Sequence, residues 1–132
     1  MLRTRLLPIA LAASVVVPTL ATTGAAQAAV KNPQADAAMR KGIRDVARLE
    51  GNGAKAANIR IACVAVPKVN DKKPCSGSFD LVKDGKTAHY VLTKKARTFR
   101  ISARAIEYRV SAKATKKVQG LPAATDLAGF LQ

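Results

Sequence analysis

Tryptophan is absent, aromatic residues make up 4% of the chain, histidine occurs once, cysteine twice, and 8 acids stand against 23 lysines and arginines. Each shortage removes a class of function. Two Cys and one distant His are too few soft ligands for a metal site, and the Cys lack the C-x-x-C spacing of a redox pair. Any catalyst built on an imidazole would have to use His89. There is no Gly-rich phosphate loop and no Ser or Thr nucleophile beside a base. Clustered acids suited to a hard metal or a glycosidase pair are also missing. Beyond Ala28 no apolar run approaches the roughly 18 residues of a membrane span. No cofactor, no metal and no catalysis are expected, and no motif is specific enough to name an activity.

What is present begins with a removable secretory leader over residues 1–28. Arg3 and Arg5 form its charged start, Leu6 to Leu20 its apolar stretch, and Ala26-Gln27-Ala28 a small-x-small cleavage site. No Cys lies there to carry a lipid, so release from the cell is the expected fate. Residues 29–132 then form a single domain with one modest core. Two of the 23 basic residues and none of the 8 acids fall in the leader, leaving 21 positive against 8 negative charges, or +13. Such a field attracts anionic partners: nucleic acid, an anionic membrane surface, an acidic cell-wall polymer or an acidic protein. The bland alternative is a dispersed charge that only keeps the protein in solution. The composition, heavy in Ala, Arg and Val, fits a high-GC bacterial source.

Cys63 and Cys75 form an even pair in an exported chain, which predicts one disulfide. Closing so short a loop stabilises the fold by roughly 3 kcal/mol on the chain-entropy argument. Upstream, Asn32 as cap, Pro33 in the first turn and Met39, Ile43, Val46 and Leu49 at helical spacing predict a helix that stops at Gly51. Gly42 beside the stripe would allow close approach to a sheet. Asn58 to Val66 reads as a strand bounded by Pro67, followed by a polar loop, Pro67 to Pro74, tied down by Cys75.

The strongest local signal is Asp84-Gly85 between two alternating runs, the composition of a type I′ hairpin turn. Counting outwards pairs Val82 with Thr87, Leu81 with Ala88, Asp80 with His89 and Phe79 with Tyr90. Phe79, Leu81, Tyr90 and Leu92 then share the buried face. From Thr98 the alternation places Phe99, Ile101 and Ala103 inward and Arg100, Ser102 and Arg104 outward. Beyond Ala105 the inward set becomes Ile106, Tyr108, Val110 and Ala112, so a turn near Arg104 between two strands is expected. The apolar tail, Leu121 to Leu131, should dock on the domain. The sum is an α+β domain, one N-terminal helix lying across a four- to five-stranded antiparallel sheet, a layout similar to that of cystatin-like proteins. The likeness is one of layout and carries no activity.

Most excess charge lies late in the chain: Lys83 to Lys117 holds 11 basic residues against Asp84 and Glu107. Arg100, Arg104, Arg109 and Lys113 are expected on the solvent face of the sheet as an anion-binding surface, with Lys94, Lys95, Arg97, Lys116 and Lys117 extending the field. Phe79, Tyr90, Phe99 and Tyr108 fall on inward positions, which leaves no rings for stacking bases and argues against sequence-specific nucleic-acid recognition. His89 with Asp80, Glu107 and Arg109 resembles the catalytic set of small secreted microbial ribonucleases. That resemblance implies RNA cleavage dependent on His89, whereas an ordinary cross-strand Asp80–His89 pair requires no catalysis. A third reading is an enzyme inhibitor acting through the Cys63 to Cys75 loop. The reading that best fits the residues is a small exported basic domain that binds an anionic partner and does not turn it over; its oligomeric state is not encoded in any visible motif.

Overall fold

The computed structural model describes residues 33–132; the expected leader and the Asn32 cap lie outside them. One helix packs on an antiparallel sheet of six strands. They are α1 (Pro33–Leu49), β1 (Lys55–Cys63), β2 (Lys72–Lys83), β3 (Lys86–Leu92), β4 (Arg97–Arg100), β5 (Ile106–Ala114) and β6 (Ala124–Leu131). No helix among the described residues is long and apolar enough to cross a membrane.

The helix forms from its apolar stripe, since Ala35, Ala38, Met39, Ile43, Val46 and Ala47 are all buried against the sheet. Leu49, expected on that stripe, is instead 54% exposed. It is the last helical residue, and the chain leaves the helix immediately after it, with Glu50 N and Gly51 N both returning to the Val46 carbonyl. Gly42 permits the close approach that its position suggested: a Cβ there would collide with the Tyr108 ring and Val110. Tyr108 fills the slot between Gly42 and Gly129 and donates its hydroxyl to Asp45 Oδ2 at 2.5 Å. Burial raises the Tyr108 pKa, and the bond to Asp45 adds to the effect, bringing it to about 12. Burial would likewise raise the Asp45 carboxyl, but hydrogen bonds from Tyr108, Lys41 and Arg48 outweigh it and hold the group at about 2.

The strands run as a meander. The β2–β3 hairpin has the register expected from Asp84-Gly85, with Asp80 opposite His89 and Phe79 opposite Tyr90, and both turn residues take positive φ (52° and 75°) as type I′ geometry requires. Phe79 and Tyr90 stack at 5.2 Å between centroids. The Cys63–Cys75 disulfide closes the end of the β1–β2 ladder. Strands β3 and β4 lie on one line between β2 and β5, because each pairs with both neighbours. Ser78 faces Val91 and Pro74 faces Arg97, so six residues of this line span four of β2, and two extra residues are looped out at Thr93–Ala96.

Two expectations change here. The sheet has six strands rather than four or five, because the β3–β4 line is interrupted and the apolar tail pairs along the whole of β5 as β6. The facing of β4 is also the reverse of that expected: Thr98 and Arg100 are buried, while Phe99 is half-buried on the other side and Ile101 is exposed. The reason is the even number of looped-out residues. Ala88, Tyr90 and Leu92 fix even-numbered positions inward, a two-residue excursion preserves that parity, and Arg100 must follow.

Candidate functional site

The interruption at Thr93–Ala96 organises the outer face of the sheet. Thr93 N donates to the Ser111 carbonyl at 2.8 Å and Ala96 N to the Thr93 carbonyl at 3.1 Å. The Thr93 and Ser111 hydroxyls meet at 2.6 Å, and Lys95 N donates to Thr93 Oγ1 at 3.2 Å. A Thr hydroxyl bonding the backbone two residues on is the ordinary chemistry of a tight turn. Its consequence is that Lys94 and Lys95 project from a fixed backbone into solvent.

Two open depressions flank this turn and share Lys94. One, of about 280 Å³, is lined by Lys72, Lys73, Pro74, Lys94 and Arg97. The other, of about 360 Å³, is lined by Thr93, Lys94, Lys95, Ser111 and Lys113. Register brings them together: Pro74 faces Arg97 across β2–β4, and Val91 faces Lys113 across β3–β5. No carboxylate lines either depression. Two acids share the outer face outside that lining: Glu107, opposite Phe99, and Asp126, which receives a two-pronged bond from Arg109 at 2.9 and 2.7 Å. That bond is the main cause of its lowered pKa, and the fields of Lys95 and Arg97 lower it further. The depressions therefore offer several hydrated ammonium groups and one guanidinium with no carboxylate in their lining, which suits repeated phosphate, sulfate or carboxylate groups on an extended anion.

The four cations expected to form one surface are dispersed by the structure. Lys113 lies on the outer face and lines the larger depression. Arg109 is on the same face, where Asp126 neutralises it. Arg104 is exposed on the Ser102–Ala105 turn, away from both depressions. Arg100 is 5% exposed and points to the helix side. Its Nε donates to the Val66 carbonyl at 2.5 Å, Nη1 to the Ser102 and Ala103 carbonyls at 3.3 and 3.1 Å, and Nη2 to the Gln34 side-chain oxygen. Its expected place on the solvent face is thus corrected by the parity argument above. Lys72 and Lys73, which read as part of a loop, belong to β2, and Lys94, Lys95 and Arg97 move from the margin of the field to its centre. For Arg97 the signal that could have found it is the parity running on from Tyr90 and Leu92.

His89 Nδ1 sits 2.7 Å from Asp80 Oδ1, and Asn58 donates to Asp80 Oδ2 at 2.8 Å. The Asn58 bond is the leading cause of a lowered Asp80 pKa, with His89 contributing after it. This cluster does not meet the other members of the ribonuclease-like set. Thr115 N donates to the His89 carbonyl at 2.8 Å, which places His89 eight residues along the β5 line from Glu107. At roughly 3.3 Å per residue that is about 26 Å. The Pro67 to Pro74 loop is held by exchange between Asn70 N and the Arg100 carbonyl (2.8 Å) and between Arg100 N and the Asp71 carbonyl (2.9 Å). Among the described residues, no three His, Cys, Asp or Glu side chains gather as metal ligands would.

No protein-family model matches the chain, nor does any curated protein or solved structure.

Proposed function

We propose that this chain is an exported, non-catalytic domain that binds a polyanion through the lysine-rich depressions on the outer face of its sheet. One observation carries the reading: Lys72, Lys73, Lys94, Lys95, Arg97 and Lys113 surround a turn pinned by hydrogen bonds, and no acid lines the ground between them. A merely solubilising charge has no need of such segregation, because interspersed acids give equal solubility. Recognition is of charge density rather than sequence. Phe79, Tyr90 and Tyr108 are committed to the core; Phe99 and the exposed Phe130 lie on the outer face beside Glu107, but neither lines the depressions, which contain no ring on which a base could stack. Export agrees with the disulfide, which is stable in an oxidising compartment.

The test is binding of heparin, double-stranded DNA and polyglutamate across a salt series. Affinity should fall steeply between low and moderate salt through counterion release. A variant carrying Lys94→Gln, Lys95→Gln, Arg97→Gln and Lys113→Gln should bind heparin about a hundredfold more weakly at low salt, with the salt slope reduced by about three. Failure of all three probes to bind at low ionic strength overturns the reading, as does a variant that binds like the parent.

A further inference from the structure

A cavity of different character lies on the opposite side of the sheet. With a volume of about 300 Å³, it opens between the start of α1, the β4–β5 turn and the end of β6, lined by Gln34, Ala37, Arg100, Arg104, Ile106, Leu131 and Gln132. It lies apart from the lysine-rich depressions, sharing no residue with them.

Arg100 gives the cavity its chemistry. Arg100 is 5% exposed, and every partner of its guanidinium is a neutral carbonyl or amide oxygen. None of the ion pairs among the described residues involves it or Arg104. A buried cation dressed only with neutral dipoles retains its net charge, and a low-dielectric pocket strengthens its attraction for an anion entering beside it. Nη2 has one bond to Gln34, so a planar guanidinium of five N–H donors holds one more in reserve at the cavity. Arg104, on the adjoining turn, supplies a second cation from the solvent side. Ala37, Ile106 and Leu131 give the cavity an aliphatic part, and Gln34 and Gln132 complete the lining. Two guanidinium groups and an aliphatic patch in one small cavity match a single carboxylate attached to a short hydrocarbon body. The volume is at the small end of ligand pockets and excludes a polymer.

We infer that this cavity binds an amphipathic monocarboxylate, with the carboxylate between Arg100 and Arg104 and the apolar group against Ile106 and Leu131. A free organic acid and the C-terminal carboxylate of a peptide share that chemistry, and the choice of probes separates them. The experiment is methyl-resolved NMR titration of the full-length chain at high salt, where attraction to the lysine-rich face is screened. The probes are hexanoate, hexanol, acetyl-Ala-Leu and its C-terminal amide. Hexanoate should shift the Ile106 and Leu131 methyls at millimolar concentration, and hexanol should bind about tenfold more weakly for want of the charge. Binding of acetyl-Ala-Leu but not of its amide or hexanoate would identify a peptide terminus. Binding of hexanoate alone would identify a free acid. Arg104→Gln, at an exposed turn position that leaves folding intact, should weaken the bound carboxylate about tenfold. Leu131→Trp should fill the cavity and abolish the shifts. The inference falls if acid and alcohol bind equally, if no carboxylate shifts these methyls, or if Arg104→Gln binds hexanoate like the parent. The quadruple outer-face variant should bind hexanoate unchanged, so this site and the polyanion face fail or succeed separately.

Discussion

Arg97 and Arg100 stand three residues apart at the two ends of β4, yet the fold treats them in opposite ways. Arg100 is buried on the helix side, where its guanidinium ties the Val66 carbonyl, the β4–β5 turn and Gln34 together beside a small cavity. Arg97 is half-exposed on the outer face among lysines, and its depression contains no acid. The same residue type serves as a structural clamp in one place and as available charge in the other. Net charge therefore says little about where an anion can bind; what matters is where each cation is held and whether the fold pairs it with one of its own carboxylates. On the outer face Arg109 has been used by Asp126, and the lysines have not.

The largest effect should come from cutting the clamp. Arg100→Met removes four hydrogen bonds and leaves the buried Val66 carbonyl unpaired, so it should lower the unfolding free energy by about 3 kcal/mol in urea denaturation. Heparin affinity of the folded variant should remain within about twofold of the parent, since an inward cation adds little to a screened outer field. A large loss of heparin affinity without a loss of stability would erase the distinction between the two arginines.

The contrast extends to the acids. On the helix side Asp45 accepts from Tyr108, Lys41 and Arg48, and its carboxyl is held at about 2 against an ordinary 3.8. A depressed folded pKa stabilises the fold fully above the unfolded value, and this stabilisation is lost as pH falls from about 4 towards 2. The loss should be on the order of 2 kcal/mol. Asp45→Asn should flatten that part of the acid-stability profile; an unchanged profile would show that the Tyr108 clamp carries no linkage.

On the outer face the smallest effect sharpens the comparison. Asp126→Asn releases Arg109 from its two-pronged bond, and the freed guanidinium should raise heparin affinity about threefold at low salt and steepen the salt slope by about one. Because the pair is exposed, stability should change by less than about 1 kcal/mol. A fall in affinity would mean that Arg109 stays outside the binding surface even when released.

Local chemistry was readable where neighbours in sequence are also neighbours in space. Asp84-Gly85 dictates the φ signs of its turn, and the turn dictates the register of Phe79 with Tyr90 and of Asp80 with His89. The stripe through Met39, Ile43 and Val46 places the helix, and Cys63 with Cys75 places the bridge. Phe99 and Ile101 misled, because alternation in a short window reports apolarity, whereas the face of β4 is imposed by strands on either side of it. The tail became β6 because β5 had an unpaired edge to fill, a fact about the assembled sheet rather than about residues 124–131.

The candidate site divides along the same line. Composition and order alone determined an α+β domain of high positive charge, its helix, its hairpin register and its disulfide, since each depends on propensity or on contacts across a few residues. Which cations are free was decided only by tertiary structure. Lys72 and Lys113 reach the same face through three strands, Arg109 meets an acid 17 positions away, and Arg100 turns inward because a two-residue excursion keeps the parity set by Tyr90. Electrostatic availability is a long-range property, fixed by which charges the backbone brings within a few ångströms of one another.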